Sequence, residues 1–218
     1  MEPTHAGDSE VTARLIERAA GGEPAPLAML LDRHRDRLRR MVALRMDPRL
    51  RSRLDPSDVL QEAFLEAARR LPEYAKEPAL PLFLWLRLLT GQCLQVLHRR
   101  HLGARRRDAG REVALDACGP PGATSAAMAA QLLGHDTRPS EAAARAERKG
   151  RLREAIDRMD PLDREVLALR HFERLTNAEA GRVLGLSEGA VGVRHFRAVK
   201  RLREILAAMP GGVEEFRP

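Results

Sequence analysis

The chain has 218 residues, 44% hydrophobic but only 3% aromatic, so any core is built from Leu, Ala, Val and Met, a mixture that favours packed helices and argues against an all-β fold. Its 38 basic residues, 35 of them arginine, outnumber 31 acidic ones for a net charge of +7, which points to a polyanionic partner. Cys93 and Cys118 form no metal-ligand spacing and no disulfide framework, and the longest apolar run, Leu82 to Leu86, is far short of a membrane span. The polar N-terminus has no signal-peptide pattern, so the expected location is the cytoplasm, with no membrane partner and no metal or other cofactor.

The basic charge is concentrated in two blocks. Residues 28–111 hold 19 basic and 10 acidic side chains, residues 148–206 hold 14 and 9, and the ends and the middle are net acidic. The middle contains Gly119-Pro120-Pro121-Gly122 and an Ala/Ser-rich run to Ala130, the composition of a linker. The expected organisation is an N-terminal polar segment (1–26), a helical domain (27–107), a linker (108–139), a second helical domain (140–209) and a tail (210–218).

In chain order, Leu27, Leu30, Leu31, His34, Leu38, Met41 and Val42 recur at helical spacing, and this helix should stop near Asp47-Pro48. Asp55-Pro56 supplies an N-cap and a proline at the first helical position, starting a helix predicted to run to about Leu71. Val59, Leu60, Ala63, Phe64, Ala67 and Leu71 form its core stripe, while Asp58, Gln61, Glu62 and Leu65 share the outer side. That outer side suits protein docking better than paired-carboxylate catalysis. A loop from Pro72 to Pro81 precedes a long helix from about Leu82 to His101, followed by the basic tail Arg105-Arg106-Arg107. This long helix is apolar on too many sides for a lone surface helix, so it is either sandwiched or in contact with a ligand. The only Trp and Tyr, Trp85 and Tyr74, bracket the loop and could stack on unpaired bases or pack in the core.

The second block opens with a helix N-capped at Ser140 and breaks at Asp160-Pro161, where Asp160 caps the next helix. Thr176 and Glu179 form a capping box; a short helix to Leu184, a turn at Gly185-Leu186, a cap at Ser187 and a long helix from Glu188 to about Met209 complete a helix-turn-helix pattern. On a helical wheel Val191, His195, Ala198, Leu202, Ile205 and Leu206 face the core. Opposite them lie Val193, Phe196, Arg197 and Lys200, flanked by Arg194 and Arg201, a mixture of apolar and cationic groups that a DNA major groove accommodates. No phosphate-binding glycine loop, nucleophile elbow or His-Glu zinc motif is present, so the sequence does not argue for an enzyme.

The helix Asp58-Val59-Leu60-Gln61-Glu62-Ala63-Phe64, the Trp85-Leu86 helix rich in basic residues, and the C-terminal Leu184-Gly185-Leu186-Ser187 through Phe196-Arg197-Ala198 together resemble bacterial RNA polymerase sigma factors. The likeness is to the sigma-70 family's small extracytoplasmic-function (ECF) group and spans about residues 27–107 and 140–206. It implies an all-α fold, with a sigma-two helical bundle and a sigma-four helix-turn-helix joined by a flexible linker. The function it implies is that of an initiation factor that binds core polymerase, directs it to promoters and assists melting. Asp58, Gln61, Glu62 and Leu65 would then meet the β′ clamp helices, and the β flap is the other polymerase surface. Tyr74, Trp85, Arg87, Gln92, Gln95, Arg99 and Arg100 would act at the minus-ten element, and Val193, Arg194, Phe196, Arg197, Lys200 and Arg201 at the minus-thirty-five element. An anti-sigma factor or other regulator joins core polymerase and promoter DNA among the implied partners. Gln92, Val96 and Gly192 depart from the residues common in relatives, so promoter preference does not carry over. The alternative reading is a stand-alone helix-turn-helix regulator with an N-terminal sensing or dimerisation domain, which would not need the Asp58–Glu62 face.

Overall fold

The computed structural model describes residues 5–51, 53–102, 121–133 and 142–209, and among these the regular structure is helical throughout. The expected Ser140 cap, the Arg105–Arg107 tail, Cys118 and the segment 210–218 lie outside the described residues. The chain divides into two compact units, Met1–Val42 with Pro48–Pro121, and Ala43–Asp47 with Gly122–Pro218.

In the first unit, α1 (His5–Ala20) occupies much of the stretch expected to be only a polar segment. It turns at Gly21-Gly22 into α2 (Pro24–Arg45), and Gly22, at φ 94°, supplies the left-handed residue that ends α1. A 3-10 turn (Pro48–Leu50) buries Leu50 ahead of α3 (Pro56–Lys76). The start of α3 is fixed by reciprocal capping: Asp55 accepts from the Ser57 N–H at 2.8 Å, and Asp58 accepts from the Asp55 N–H at 2.8 Å. Backbone and side-chain bonds from Ser57 hold the Asp55 carboxyl below the usual carboxylate range. Val59, Leu60, Ala63, Ala67 and Leu71 are buried as the periodicity predicts. Phe64, expected in the core, is only half-buried, with the Arg35 guanidinium over its ring at 5.4 Å.

The end of α3 is a correction. The helix continues through Pro72 to Lys76, so the predicted ten-residue loop shrinks to Glu77–Pro81. Proline removes one backbone donor inside a helix, but buried Leu71 and Tyr74 anchor the turns on either side of it. α4 (Leu82–Leu102) then resolves the choice posed by its all-round apolarity. Leu82, Phe83, Leu84, Leu86, Leu89, Leu94 and Leu97 are all buried, so the helix is sandwiched. Its one buried hydroxyl, that of Thr90, donates to the Leu86 carbonyl at 2.8 Å.

In the second unit, part of the expected linker is helical: α5 (Ser125–Leu132) is capped by Thr124, which accepts from the Ala127 N–H, and its Ala127, Met128 and Ala129 are buried. Met128 joins a core with Leu152, Ile156, Met159, Leu167, Phe172, Ala198, Ile205 and Leu206. Met159 lies between α6 (Ala142–Asp157) and α7 (Pro161–Leu167), and the other residues come from these two helices, a π-helical segment (Ala168–Phe172) and the long C-terminal helix. The Arg45 guanidinium is buried in this unit, its Nε donating to Glu173 at 2.8 Å and an Nη to Glu165 at 2.5 Å. Burial of that cation is tolerable because two carboxylates meet it.

α8 (Asn177–Leu184) and α9 (Glu188–Ala207) form the predicted helix-turn-helix. Thr176 and Glu179 make both bonds of the capping box, at 3.1 and 2.8 Å. Gly185 takes φ 67°, a conformation costly for a side chain with a Cβ. Ser187 then caps α9 through the Ala190 N–H at 3.2 Å.

Candidate nucleic-acid and protein interfaces

α9 divides into the two faces that the wheel predicts. Val191, Ala198, Ile205 and Leu206 are buried, whereas Val193 is 53% and Phe196 72% exposed. Arg197, Lys200 and Arg201 are exposed on the same outward side. Lys200 and Arg201 reach Glu204 only loosely, at 3.9 and 3.6 Å. A phenyl ring left in water among cations forgoes the stabilisation that burial supplies, roughly 1.5–3 kcal/mol for a large side chain, so this face is suited to a partner that covers it.

Two expectations for α9 change. Arg194 is turned toward the N-terminus of α7, its Nη1 donating to Asp163 at 2.7 Å and to Asp160 at 3.4 Å. His195, expected in the core, is only partly buried and lies against His171 of the π-helical segment, with Nε2 atoms 2.8 Å apart and rings 4.8 Å between centroids. Both imidazoles are held below the ordinary histidine range. Burial is the main cause, with Arg170 adding to it for His171, and His171 and then Arg170 for His195. Neither partnership had a signal in the sequence, because 24 and 31 residues separate the groups.

On α3 the docking residues are brought together as one outward strip. Asp58, Gln61 and Glu62 are exposed, and Leu65 is 62% exposed beside them. Behind this strip, burial and then the charges of Glu62 and Glu66 push the Cys93 thiol up, against a smaller opposing effect of Arg70.

The proposed minus-ten residues divide by burial. Arg99 and Arg100 are exposed, and Gln92 and Gln95 are half-buried along α4. Tyr74 is only 8% exposed, its hydroxyl donates to the Leu80 carbonyl at 2.8 Å, and its ring stacks on half-buried Trp85 at 4.4 Å and 22°. One face of the indole is thereby taken, and Tyr74 is withdrawn from the base stacking that the sequence suggested for it. Arg87 is 3% exposed and belongs to the interior. Both corrections share a cause: α4 is covered on sides that a wheel drawn for a single helix leaves open.

Among the described residues, no group of three or more His, Cys, Asp or Glu side chains is arranged to hold a metal ion, and no helix is long and apolar enough to cross a membrane.

Two all-α units, one ending in a helix-turn-helix with an apolar and cationic outer face, define the class of helical DNA-binding proteins. Residues 149–202 match the family described as Sigma-70, region 4. Over 207 residues the chain is 26% identical to the ECF RNA polymerase sigma factor BldN of Streptomyces coelicolor, covering 94% of this chain and 69% of that one. Over 209 residues it is 28% identical to the ECF sigma factor SigD of Mycobacterium tuberculosis, covering 95% and 90%. The solved structure of CnrH in complex with the cytosolic domain of CnrY has the same fold, with a TM-score of 0.54 at 24% identity over 91% of this chain and 98% of that one. The chain is thus similar over most of its length to ECF RNA polymerase sigma factors, and its helix-turn-helix region carries the sigma-70 region 4 match.

Proposed function

We propose that the two outward faces divide the work of initiation. The strip Asp58, Gln61, Glu62 and Leu65 docks core polymerase, and the outer face of α9 reads the minus-thirty-five element. The observation that carries the second assignment is Phe196, 72% exposed beside Val193, Arg197, Lys200 and Arg201. A major groove offers such a face thymine methyls for the apolar pair, base edges for Arg197 and phosphates for Lys200 and Arg201. Gln92, Gln95, Arg99 and Arg100 along α4 act at the minus-ten element, with Trp85 backed by Tyr74, while buried Arg87 supports the helix from within. In domain terms, residues 27–107 are the sigma-two part and 140–209 the sigma-four part.

The acidic docking strip favours this reading over a free-standing helix-turn-helix regulator, which has no use for it. The chemistry asked of the chain is binding and strand separation, without a catalytic group of its own. Core polymerase and promoter DNA place its work in the cytoplasm. The CnrH structure contains the cytosolic domain of CnrY, and a protein regulator of the anti-sigma kind stands beside polymerase and DNA among the proposed partners.

Transcription in vitro with purified core polymerase and genomic fragments tests the assignment. Promoter-specific initiation is expected only with the factor present; promoter binding by the factor alone, without such initiation, sinks it. Glu62→Arg is expected to weaken polymerase binding because it reverses charge in the middle of the strip. Unchanged polymerase affinity removes the strip from the docking surface.

A further inference from the structure

Arg194 sits on the reading helix next to Val193, yet its guanidinium is held by carboxylates of another element. Asp160 is committed as the α7 cap, where its Oδ1 already accepts from the backbone N–H groups of Leu162 at 2.9 Å and Asp163 at 3.3 Å. Asp163 has a shorter bond to Arg194, 2.7 Å, and its side chain is 19% exposed against 37% for the arginine. Asp160 and Asp163 border an open cleft of about 440 Å³, lined also by Arg158, Arg197 and Arg201. The cleft thus lies beside the cations proposed to meet DNA, and within it carboxylates and guanidiniums compete.

We propose that Asp163 is a specificity-determining residue, which withholds Arg194 from the DNA bases by pairing with it. Arg197, for which the described residues provide no hydrogen bond or ion pair, then remains on the outer face beside Phe196 to read a base edge. An arginine fork matches the acceptor pair of guanine, so releasing a second arginine changes which sequence is preferred at one position instead of raising affinity everywhere. The half-buried setting of the pair strengthens the restraint, since its charges are screened less than those of a fully exposed pair. This inference rests on α9 being the minus-thirty-five reader.

The test is selection by the reconstituted holoenzyme from promoter duplexes randomised across the minus-thirty-five element, for wild type, D163N, D163N/R194M and E204Q. D163N is expected to acquire a new guanine preference at one position, on the order of tenfold, and D163N/R194M to lose it. E204Q adds the same unit of charge beside Lys200 and Arg201 without releasing Arg194, so it is expected to bind all sequences somewhat more tightly with the wild-type preference. If D163N behaves like E204Q, or keeps its new preference without Arg194, the inference is wrong. If wild-type holoenzyme selects nothing across the element, the reading of α9 fails and the inference falls with it. Thermal melts of each variant separate loss of fold from change of preference.

Discussion

Replacing glycine by alanine at two positions of the second unit should have opposite effects on stability. Gly150 lies in the middle of α6, is exposed, and a Cβ built there meets nothing within 4 Å. Gly150→Ala should therefore gain the helix-propensity difference of about 0.8–1.0 kcal/mol. Gly181 is also helical, in α8, but its Cβ would lie 2.5 Å from the carbonyl oxygen of Leu186, at the turn of the helix-turn-helix. That oxygen belongs to backbone, and the Leu186 N–H is itself bonded to the Gly181 carbonyl at 2.9 Å, so no flexible side-chain end is available to move. Overpacking of this kind costs about 1–3 kcal/mol. Set against the same propensity gain, the net for Gly181→Ala runs from near neutral to about 2 kcal/mol destabilising. The two variants should thus differ by roughly 1–3 kcal/mol, with Gly150→Ala the more stable. Urea unfolding followed by far-ultraviolet circular dichroism measures both, and minus-thirty-five binding should also fall for Gly181→Ala, because relieving the clash moves the turn that carries α9. Equal stabilisation of the two variants would falsify the close approach of α8 to its turn.

Other expectations follow from single residues. The paired His171 and His195 have pKa values lowered from 6.5, so on acidification the unfolded chain takes up protons first. Their contribution is intact above about pH 6.5 and declines as pH falls through the native values. His171→Gln should flatten that acid-side decline in urea midpoint, and an unchanged slope would show that the pair does not cause it. Phe196→Ala should leave the unfolding midpoint within about 0.5 kcal/mol of wild type, since the ring is exposed, while minus-thirty-five binding drops. A large stability loss would mean the ring is packed.

The parts of the fold legible in the sequence are those fixed by local chemistry. The Asp55-Pro56 start of α3, the Asp160-Pro161 break, the Thr176–Glu179 capping box, the Gly185 turn and the Ser187 cap all stand as read. The two faces of α9 were legible for the same reason, since a helix whose ends are fixed by caps distributes its side chains by period alone. What escaped depends on partners distant in sequence. α3 passes through Pro72 because Tyr74 beyond it finds Trp85 across the turn. α5 forms inside a stretch of linker composition because Met128 has a core to enter. The resemblance puts Arg87 at the minus-ten element and the wheel puts Arg194 beside the outer face of α9, but burial of the one and the Asp163 partnership of the other come from neighbouring helices. The π-helical segment Ala168–Phe172 has no local composition that marks it.

The stacking of Tyr74 on Trp85 also has an optical consequence. These are the chain's single Tyr and single Trp, and both belong to the first unit. Ultraviolet-excited emission therefore reports that unit alone, with the indole sensing a tyrosine ring 4.4 Å away, while circular dichroism sums the helices of both. If the units unfold independently, the two signals give separate transitions for one polypeptide, and a two-state fit to either describes only what that signal sees. Adding promoter DNA becomes informative without any label: emission follows events around α4, and a change in helix content that leaves emission untouched is assigned to the unit without a Trp or Tyr.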